Sequence, residues 1–359
     1  MESSPQNKKG KLLYLEVIRI IAIFMVLFIH TGDKGYMFFS TDRESRLYYL
    51  YLAISIFVKI AVPLFFMVSG SLLLGKEESI AEIYRKRVLK IAATLLVWST
   101  LYYLYDVWKE TREFNLVDYL KLVYSSQTSR ALWYLYSYLA LLIMLPLLRK
   151  MVKLLSNREY WYWIIIVIVF LGICPTVCYL AVGPTFSMNY DLVPRMMATY
   201  NIFYFCIGYY FDRLVDIDMV DRTKFRQMII LSVIGIAISA IATTCYVDNK
   251  DIPVNDYQVF FHCFRVFPTV TVFLLIKKIF TGIKLSAPVE RFILVMGSCT
   301  FGIFLMERFS RNFLDFIPHL LCGHIPTFIV GVIWAICSVM FGFAVTWILK
   351  KIPFVRYFV

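Results

Sequence analysis

Apolar runs alternate with short polar segments along the whole chain. The ten runs lie at approximately residues 12–30, 47–74, 84–105, 131–148, 160–182, 196–211, 227–247, 258–280, 292–309 and 326–349. A helix needs about 20 largely apolar residues to cross the hydrocarbon core of a bilayer. The pattern therefore predicts an all-α integral membrane protein, a bundle of about ten transmembrane helices. We expect residues 1–359 to form this single domain without a soluble domain, and we expect the outer segment 106–130 to contain an amphipathic helix at the interface.

Composition and charge fit a membrane bundle rather than a soluble domain. Hydrophobic residues make up 60% of the chain and charged residues 17%, whereas soluble domains average roughly 45–50% and 25%. Of the 37 Lys and Arg, 22 lie in the N-terminal tail and the alternate segments that would share its side of the membrane, and 11 lie on the other side. Because cytoplasmic loops are enriched in Lys and Arg, both termini are expected in the cytoplasm. The net charge of +13 therefore reflects the enrichment of Lys and Arg on the cytoplasmic side of the membrane. Membrane lipids are expected partners, and nucleic acid is not.

The first apolar run contains charged residues, which a membrane helix normally lacks. Read as a helix at about 100° per residue, it brings Arg19 and His30 to within roughly 20° on one face, about 16 Å apart along the axis. Polar residues inside a bilayer usually face a cavity or a partner. The alternative is that Glu16 and Arg19 pair near the interface and that His30 is an ordinary helix-end residue. The run lacks a small-residue cleavage site, so it is expected to remain in the mature protein.

Polar residues within the other runs are mainly cationic. The intramembrane set is Glu16, Arg19, His30, Lys59, Lys90, His262, Arg265 and Glu307, with Arg85 and Arg87 at the cytoplasmic end. Excess positive charge should attract an anion, and phosphate is favoured because Arg can bind it bidentately. His30 is a candidate general base. Glu307 could orient its imidazole or accept a proton from it. The set predicts group transfer from a phosphorylated donor.

Several short motifs occur in the order found in one enzyme family. They are the Glu16–Arg19–Ala22–Val26–His30 pattern of the first run, VPLFFMVSG at 62–70, RVLKI at 87–91, LWYL at 132–135 followed by Pro146, FCIGY at 205–209 and FGIFL at 301–305. Over nearly its whole length the chain resembles the family-3 membrane acyltransferases. The resemblance implies an integral-membrane enzyme that O-acylates extracytoplasmic sugars and related acceptors.

The family implies a donor and roles for particular residues. The donor is an acyl-CoA, usually acetyl-CoA, that enters from the cytoplasm, and no metal is expected. His30 matches the essential histidine of the family and Arg19 its partner arginine. Arg87 and Lys90 match a pair that holds the CoA phosphates, with Arg85 beside them. The chain has lysine at 90, alanine at 131 and glutamate at 307, where the family usually has arginine, histidine and histidine.

The remaining polar residues are candidates for binding the acceptor. Lys59 is roughly level with His30 and could bind the acceptor or stabilise the thioester oxyanion; alternatively it extends to the outer surface. His262 and Arg265 are one helical turn apart and could contact an anionic acceptor. Trp133 is included with them, although a place in an interfacial aromatic belt is its alternative role.

The sequence therefore predicts a membrane acyltransferase that moves an acetyl group from cytoplasmic acetyl-CoA to a hydroxyl of an extracytoplasmic glycan or glycolipid. His30, Arg19 and Glu307 are its predicted catalytic residues. Modification of a cell-envelope polysaccharide in a bacterial cytoplasmic membrane is the expected setting, and a homodimer is left open. The alternative is a transporter or exporter of an anionic or sugar-like solute, because intramembrane cations also mark substrate pathways. The sequence contains no visible inverted repeat, which favours the enzyme.

Overall fold

Helices account for nearly all of the regular structure. The computed structural model describes residues 5–32, 36, 44–182, 189–248 and 260–359, and within these ranges it contains no β-strand. The α-helices are α1 Pro5–Ile29, α2 Tyr48–Val58, α3 Ala61–Leu73, α4 Ile80–Ile83, α5 Leu89–Trp108, α6 Leu116–Ser125, α7 Trp133–Leu154, α8 Asn157–Val167, α9 Cys174–Val182, α10 Arg195–Ala198, α11 Tyr200–Tyr209, α12 Arg222–Asp248, α13 Val266–Gly282, α14 Ala287–Leu305, α15 Glu307–Phe313, α16 Phe316–Leu321 and α17 Thr327–Leu349. Three π-helical segments continue α4, α8 and α11, at Tyr84–Val88, Ile168–Ile173 and Tyr210–Leu214.

The helices agree with a multi-pass membrane protein. By length and composition, seven helical segments among the described residues could cross a membrane: Tyr48–Leu73, Ile80–Trp108, Leu116–Leu154, Asn157–Ala181, Arg222–Cys245, Ala287–Leu305 and Thr327–Leu349. The other three predicted spans coincide with α1, α11 and α13. The all-helical class is confirmed, while the count of ten and the cytoplasmic termini stay predictions.

Three predicted spans are interrupted or begin elsewhere. The span 47–74 contains a turn at Lys59 and Ile60, between α2 and α3. The span 292–309 begins earlier, at Ala287, and breaks at Met306 before α15. The span 258–280 is α-helical only from Val266, and residues 258 and 259 lie outside the described ranges. Hydropathy does not reveal such breaks because the residues around them are mostly apolar.

The amphipathic helix predicted in the segment 106–130 is present as α6. Asn115 caps it, since its side-chain oxygen accepts hydrogen bonds from the backbone of the first turn. Leu116, Leu120 and Tyr124 are exposed along it. Apolar side chains exposed on a short helix outside the bundle are typical of a helix that lies at a membrane interface.

The closest helix packing joins α3 and α11. Gly70 faces the carbonyl oxygen of Phe205, and Gly208 faces that of Met67, so closely that a Cβ on either glycine would overlap the opposing backbone. Ser71 Oγ lies 2.9 Å from the carbonyl oxygens of both Met67 and Gly208. Small residues allow membrane helices to approach in this way. The contact fixes the position of α3, which contributes to the wall of the cavity described below.

We expect Gly70→Ala and Gly208→Ala each to destabilise the bundle. The added methyl group has no room, and overpacking of this kind typically costs about 1–3 kcal/mol. The measurement is the thermal midpoint of the detergent-purified protein, followed by size-exclusion chromatography. Gly282→Ala is the matched control, because a Cβ at Gly282 meets no atom within 4 Å. Equal midpoints for all three variants would contradict the packing described.

Candidate active site

A cavity of about 710 Å³ lies within the helical bundle. Residues from α1, α3, α5, α7, α11 and α14 contribute to its wall. Eight of the ten predicted site residues line it: Arg19, His30, Lys59, Arg87, Lys90, Trp133, His262 and Arg265. The remaining two, Arg85 and Glu307, lie outside the wall. The fold thus brings residues from separate parts of the sequence to a common space.

The cavity wall is strongly cationic. The described residues that line it include six Arg or Lys and two His, and none of them is Asp or Glu. The carboxylates that pair with some of these cations lie behind the wall. Within the described ranges, no group of three or more His, Cys, Asp or Glu side chains is placed to hold a metal ion. The charge of the wall favours an anionic ligand.

An ion pair on α1 contributes to the cavity wall through Arg19. Arg19 Nη1 lies 2.9 Å from Glu16 Oε1 and 3.1 Å from its Oε2. Glu16 is buried against α14, where Gly297 leaves no room for a Cβ. The pair therefore neutralises a buried carboxylate and also holds the Arg19 guanidinium at the cavity wall. The geometry is compatible with both roles considered for Arg19: an ion-pair partner of Glu16, and a catalytic arginine that faces the cavity.

Several residues of the cavity wall stand at helix ends. His30 directly follows α1, Lys59 follows α2, Trp133 begins α7 and Arg265 directly precedes α13. Non-helical backbone at membrane depth is tolerated where it lines a polar cavity. Two of the helix breaks that hydropathy did not reveal, at Lys59 and before Val266, therefore bring polar side chains to this cavity.

His30 is held by a buried carboxylate. Its Nδ1 is inaccessible to solvent and lies 2.8 Å from Glu307 Oε1, the carboxylate side chain being 2% exposed. Arg311 Nε donates to the same carboxylate oxygen at 2.7 Å, and Arg311 Nη1 donates to the His30 carbonyl oxygen at 2.8 Å. The imidazole is 36% exposed and lines the cavity, so the open side of the ring is the Nε2 side. The arrangement is suited to a general base with a fixed orientation.

Arg311 is not among the residues that the sequence pattern singles out. Its spacing of four residues from Glu307 was the available signal, because side chains at i and i+4 share a helix face. Its contact with the backbone of His30, 281 residues away in the sequence, could not be read from that spacing.

Two cations of the cavity wall lie over aromatic rings. Lys59 Nζ lies 5.3 Å from the centre of the Tyr36 ring. The Arg265 guanidinium lies 4.5 Å from the centre of the Tyr200 ring, and its Nη1 lies 3.1 Å from His262 Nδ1. Such contacts fix the direction of a cation without cancelling its charge.

Trp133 lies in the same wall as these cations. Its ring centre is 6.4 Å from that of Tyr134 and 6.4 Å from that of Tyr200. The three rings are inclined to one another, by 90° between Trp133 and Tyr134 and by 56° between Trp133 and Tyr200, and they give this part of the cavity an apolar surface beside its charged groups.

At the end of the cavity that contains Arg87, the cations are organised by Glu78, a residue that the sequence pattern does not single out. Arg87 donates to both carboxylate oxygens, from Nη2 at 2.7 Å and from Nε at 3.0 Å. Arg149, which is buried, donates to Glu78 from Nη2 at 2.7 Å and to the Leu73 carbonyl oxygen from Nε at 3.0 Å. The hydrogen bond from Arg87 lowers the pKa of the Glu78 carboxyl to about 2, and Arg149 adds to this effect. The group of three keeps a net positive charge.

The remaining cations at this end differ in their access to the cavity. Lys90 lines the wall and lies 5.3 Å from the centre of the Tyr357 ring. Lys86 also lines it and pairs with Glu82 at 2.9 Å. Arg85 is exposed and does not line the cavity. Of the two neighbours of Arg87 considered on the sequence, the structure places Lys90 at the cavity and Arg85 outside it.

Comparison with known protein families identifies the chain. Residues 12–351 match the family model described as the acyltransferase domain of family 3, which covers nearly the whole chain. Neither curated proteins nor solved structures gave a match. The chain belongs to the family-3 acyltransferases, and the resemblance stated on its motifs is confirmed. This membership supports an acyltransferase rather than the solute transporter that the sequence had left as the alternative.

Glu78→Gln should destabilise the protein in a pH-dependent way. The pKa of Glu78 is depressed in the folded chain, so its ion pairs add stability above about pH 4.5, and this stability is lost as the pH falls toward about 2. The thermal midpoint of the variant should therefore lie below that of the wild type at neutral pH, and the gap should narrow as the pH is lowered from 5 to 3.

Glu77→Gln provides the control. Glu77 is the neighbouring glutamate, 87% exposed, and it pairs with Lys153 at 3.1 Å. Exposed pairs contribute little, so its midpoint should follow the wild type at every pH. If the thermal midpoint of Glu78→Gln follows that of Glu77→Gln at every pH, the ion pairs of Glu78 with Arg87 and Arg149 do not stabilise the fold.

Proposed function

We propose that this acyltransferase moves an acetyl group from cytoplasmic acetyl-CoA to a hydroxyl group of an extracytoplasmic glycan or glycolipid. The observation that carries the proposal is one cavity whose wall includes Arg87 and Lys90 as well as His30. A long, thin donor with phosphates at one end and a thioester at the other matches such a space. The family membership supports the reaction type.

The donor would lie with its phosphates near Arg87 and Lys90. Arg87 contributes the nitrogen that does not contact Glu78, and Lys90 contributes an ammonium group. Arg85, being exposed, would add only long-range attraction. The pantetheine arm would pass Arg19 along the cavity and bring the thioester to His30.

The transfer step uses His30 as the base. Nε2 takes the proton of the acceptor hydroxyl while that oxygen attacks the thioester carbonyl carbon. The new C–O bond forms, the C–S bond breaks, and the CoA thiolate takes the proton from His30 as it leaves. Transient acylation of His30 itself is the other route by which the same bonds could be exchanged.

Glu307 and Arg19 support this base in different ways. A carboxylate against Nδ1 stabilises the imidazolium that forms when Nε2 takes a proton. Arg311 keeps that carboxylate in place and so acts through it. Arg19 lines the cavity along the proposed donor path, where its charge can stabilise the thioester end.

The acceptor would bind among the remaining residues around His30. Lys59 and Arg265 present positive charge there, either to the acceptor or to the oxyanion of the transition state. His262 orients Arg265, and the ring of Trp133 offers a flat surface to a sugar. A polysaccharide or glycolipid of a bacterial cell envelope, reached from the outer face of the cytoplasmic membrane, fits these groups.

His30→Ala and Glu307→Gln should both lower the rate of acetyl-CoA hydrolysis, the slow reaction expected when no acceptor is present. Loss of a general base typically lowers a rate by about 10²–10⁴-fold, and we expect a smaller loss, about 10–100-fold, when only its positioning carboxylate is changed. Neither change should alter the affinity for acetyl-CoA, because neither side chain is placed at the phosphate end. Hydrolysis is followed by release of free thiol, and affinity by calorimetry, in detergent.

A second His–carboxylate pair in the chain provides matched controls. His319 Nε2 on α16 lies 3.2 Å from Oδ2 of Asp315, the residue before that helix, and the His319 side chain is 71% exposed. His319→Ala and Asp315→Asn should leave the rate unchanged. Hydrolysis by His30→Ala at the wild-type rate would contradict the role of the imidazole. Failure of the wild-type chain to bind acetyl-CoA would contradict the proposal that acetyl-CoA is the donor.

A further inference from the structure

A second cationic surface adjoins the phosphate end of the cavity. This C-terminal groove has a volume of about 540 Å³ and is lined by Lys90, Lys350, Pro353, Arg356, Tyr357 and Val359. Apart from Lys90, none of these residues was considered on the sequence as part of the site. The groove is formed by the segment that follows α17.

The groove and the cavity meet at two places. Lys90 lines both of them. Lys350 Nζ also donates to the carbonyl oxygen of Ser298, a residue of α14 that lines the cavity. The groove and the cavity therefore adjoin, with Lys90 in the wall of both.

The segment that forms the groove is anchored to the bundle. Trp98 Nε1 of α5 donates to the Phe358 carbonyl oxygen at 3.0 Å, and Val359 is 7% exposed. The rings of Phe354 and Phe358 are in contact, 5.5 Å between centres. The groove is thus a fixed surface, and its cations do not have to be ordered when a ligand binds.

Positive charge in the groove is not balanced by its own wall. The lining residues include Lys90, Lys350 and Arg356, and no Asp or Glu is among them. The ring of Tyr357 lies below the Lys90 ammonium group, which leaves that charge in place. Like charges gathered in this way repel one another unless an anion joins them.

Arg87 alone provides few free donors for a phosphorylated ligand. Glu78 occupies the edge of its guanidinium formed by Nε and Nη2, the edge that would otherwise bind a phosphate bidentately. A donor that carries both a pyrophosphate and a separate 3′-phosphate needs further cations close to this end of the cavity. The C-terminal groove supplies them.

We infer that the C-terminal groove binds the 3′-phosphate of the CoA donor through Lys350 and Arg356, with Lys90 shared between groove and cavity. The inference rests on the donor proposed above. If the pantetheine arm occupies the cavity, the nucleotide lies at the end of the cavity beside Arg87 and Lys90, and the 3′-phosphate is the terminal dianion of that nucleotide. The segment after α17 would then select CoA thioesters over thioesters that lack this phosphate.

The test compares acetyl-CoA with acetyl-dephospho-CoA, which lacks only the 3′-phosphate. Binding of each to the full chain in detergent is measured by calorimetry for the wild type, Lys350→Gln and Arg356→Gln. A hydrogen bond to a charged group corresponds to about a tenfold change in affinity. Each variant should therefore bind acetyl-CoA about tenfold more weakly and should bind acetyl-dephospho-CoA as the wild type does. Arg356→Gln keeps the test valid if loss of the Lys350 contact with Ser298 impairs folding.

Lys351→Gln is the matched control. Lys351 is the neighbour of Lys350, but its ammonium group lies over the Trp347 ring, 3.3 Å from its centre, and it does not line the groove. It should bind both thioesters as the wild type does. Equal losses for the two thioesters, or no loss with acetyl-CoA, would overturn the inference.

A lipid headgroup offers the same phosphate chemistry, and a separate arm of the test distinguishes it. Phosphatidylglycerol is added to the micelles and the thermal midpoint is measured. A lipid-induced rise that Arg356→Gln abolishes, together with unchanged acetyl-CoA affinity of that variant, would assign the groove to lipid and overturn the inference. Failure of the wild type to bind either thioester would contradict acetyl-CoA as the donor. That result differs from one in which the wild type binds acetyl-CoA but the groove variants bind it equally well, which would contradict the groove alone.

Discussion

Pairing of charge inside an apolar bundle is the constraint on which the rest of the structure depends. An isolated ion removed from water costs several kcal/mol unless a counter-charge and hydrogen bonds replace its hydration. Two ion pairs within single helices meet this requirement. Arg19 pairs with Glu16 on α1, and Arg311 pairs with Glu307 on α15. In both pairs the carboxylate is buried behind the cavity wall, and the side that faces the cavity is left cationic or basic.

Breaks in the helices determine where this polar surface is found. A continuous helix satisfies its own backbone and presents side chains in a fixed spiral, whereas a break brings polar side chains to one point. His30, Lys59 and Arg265 each stand next to a helix end, and Glu307 follows the break at Met306. The tight contact of α3 with α11, made possible by Gly70 and Gly208, supports the fold around them.

The sequence predicted most of the fold and part of the candidate site. The lengths of the apolar runs located the helices, because a membrane span is recognised by its length and composition alone. It did not locate the turn at Lys59, since a break inside an apolar run depends on what packs against it. Glu78 and Arg149 were missed because an arginine near a span end has the same sequence signature whether it marks topology or binds a carboxylate 71 residues away. Arg311 and the segment after α17 were missed for the same reason, since only the folded chain brings them to α1 and α5.

The central claim is that one cavity joins the cationic end near Arg87 to the imidazole of His30. The most direct measurement is a cryo-electron microscopy structure of the full chain with a non-hydrolysable thioether analogue of acetyl-CoA. We expect density for the pantetheine arm along Arg19, with the acetyl group beside His30 Nε2 and the phosphates near Lys90. An analogue bound outside the bundle, or packed side chains between its acetyl group and His30, would contradict it.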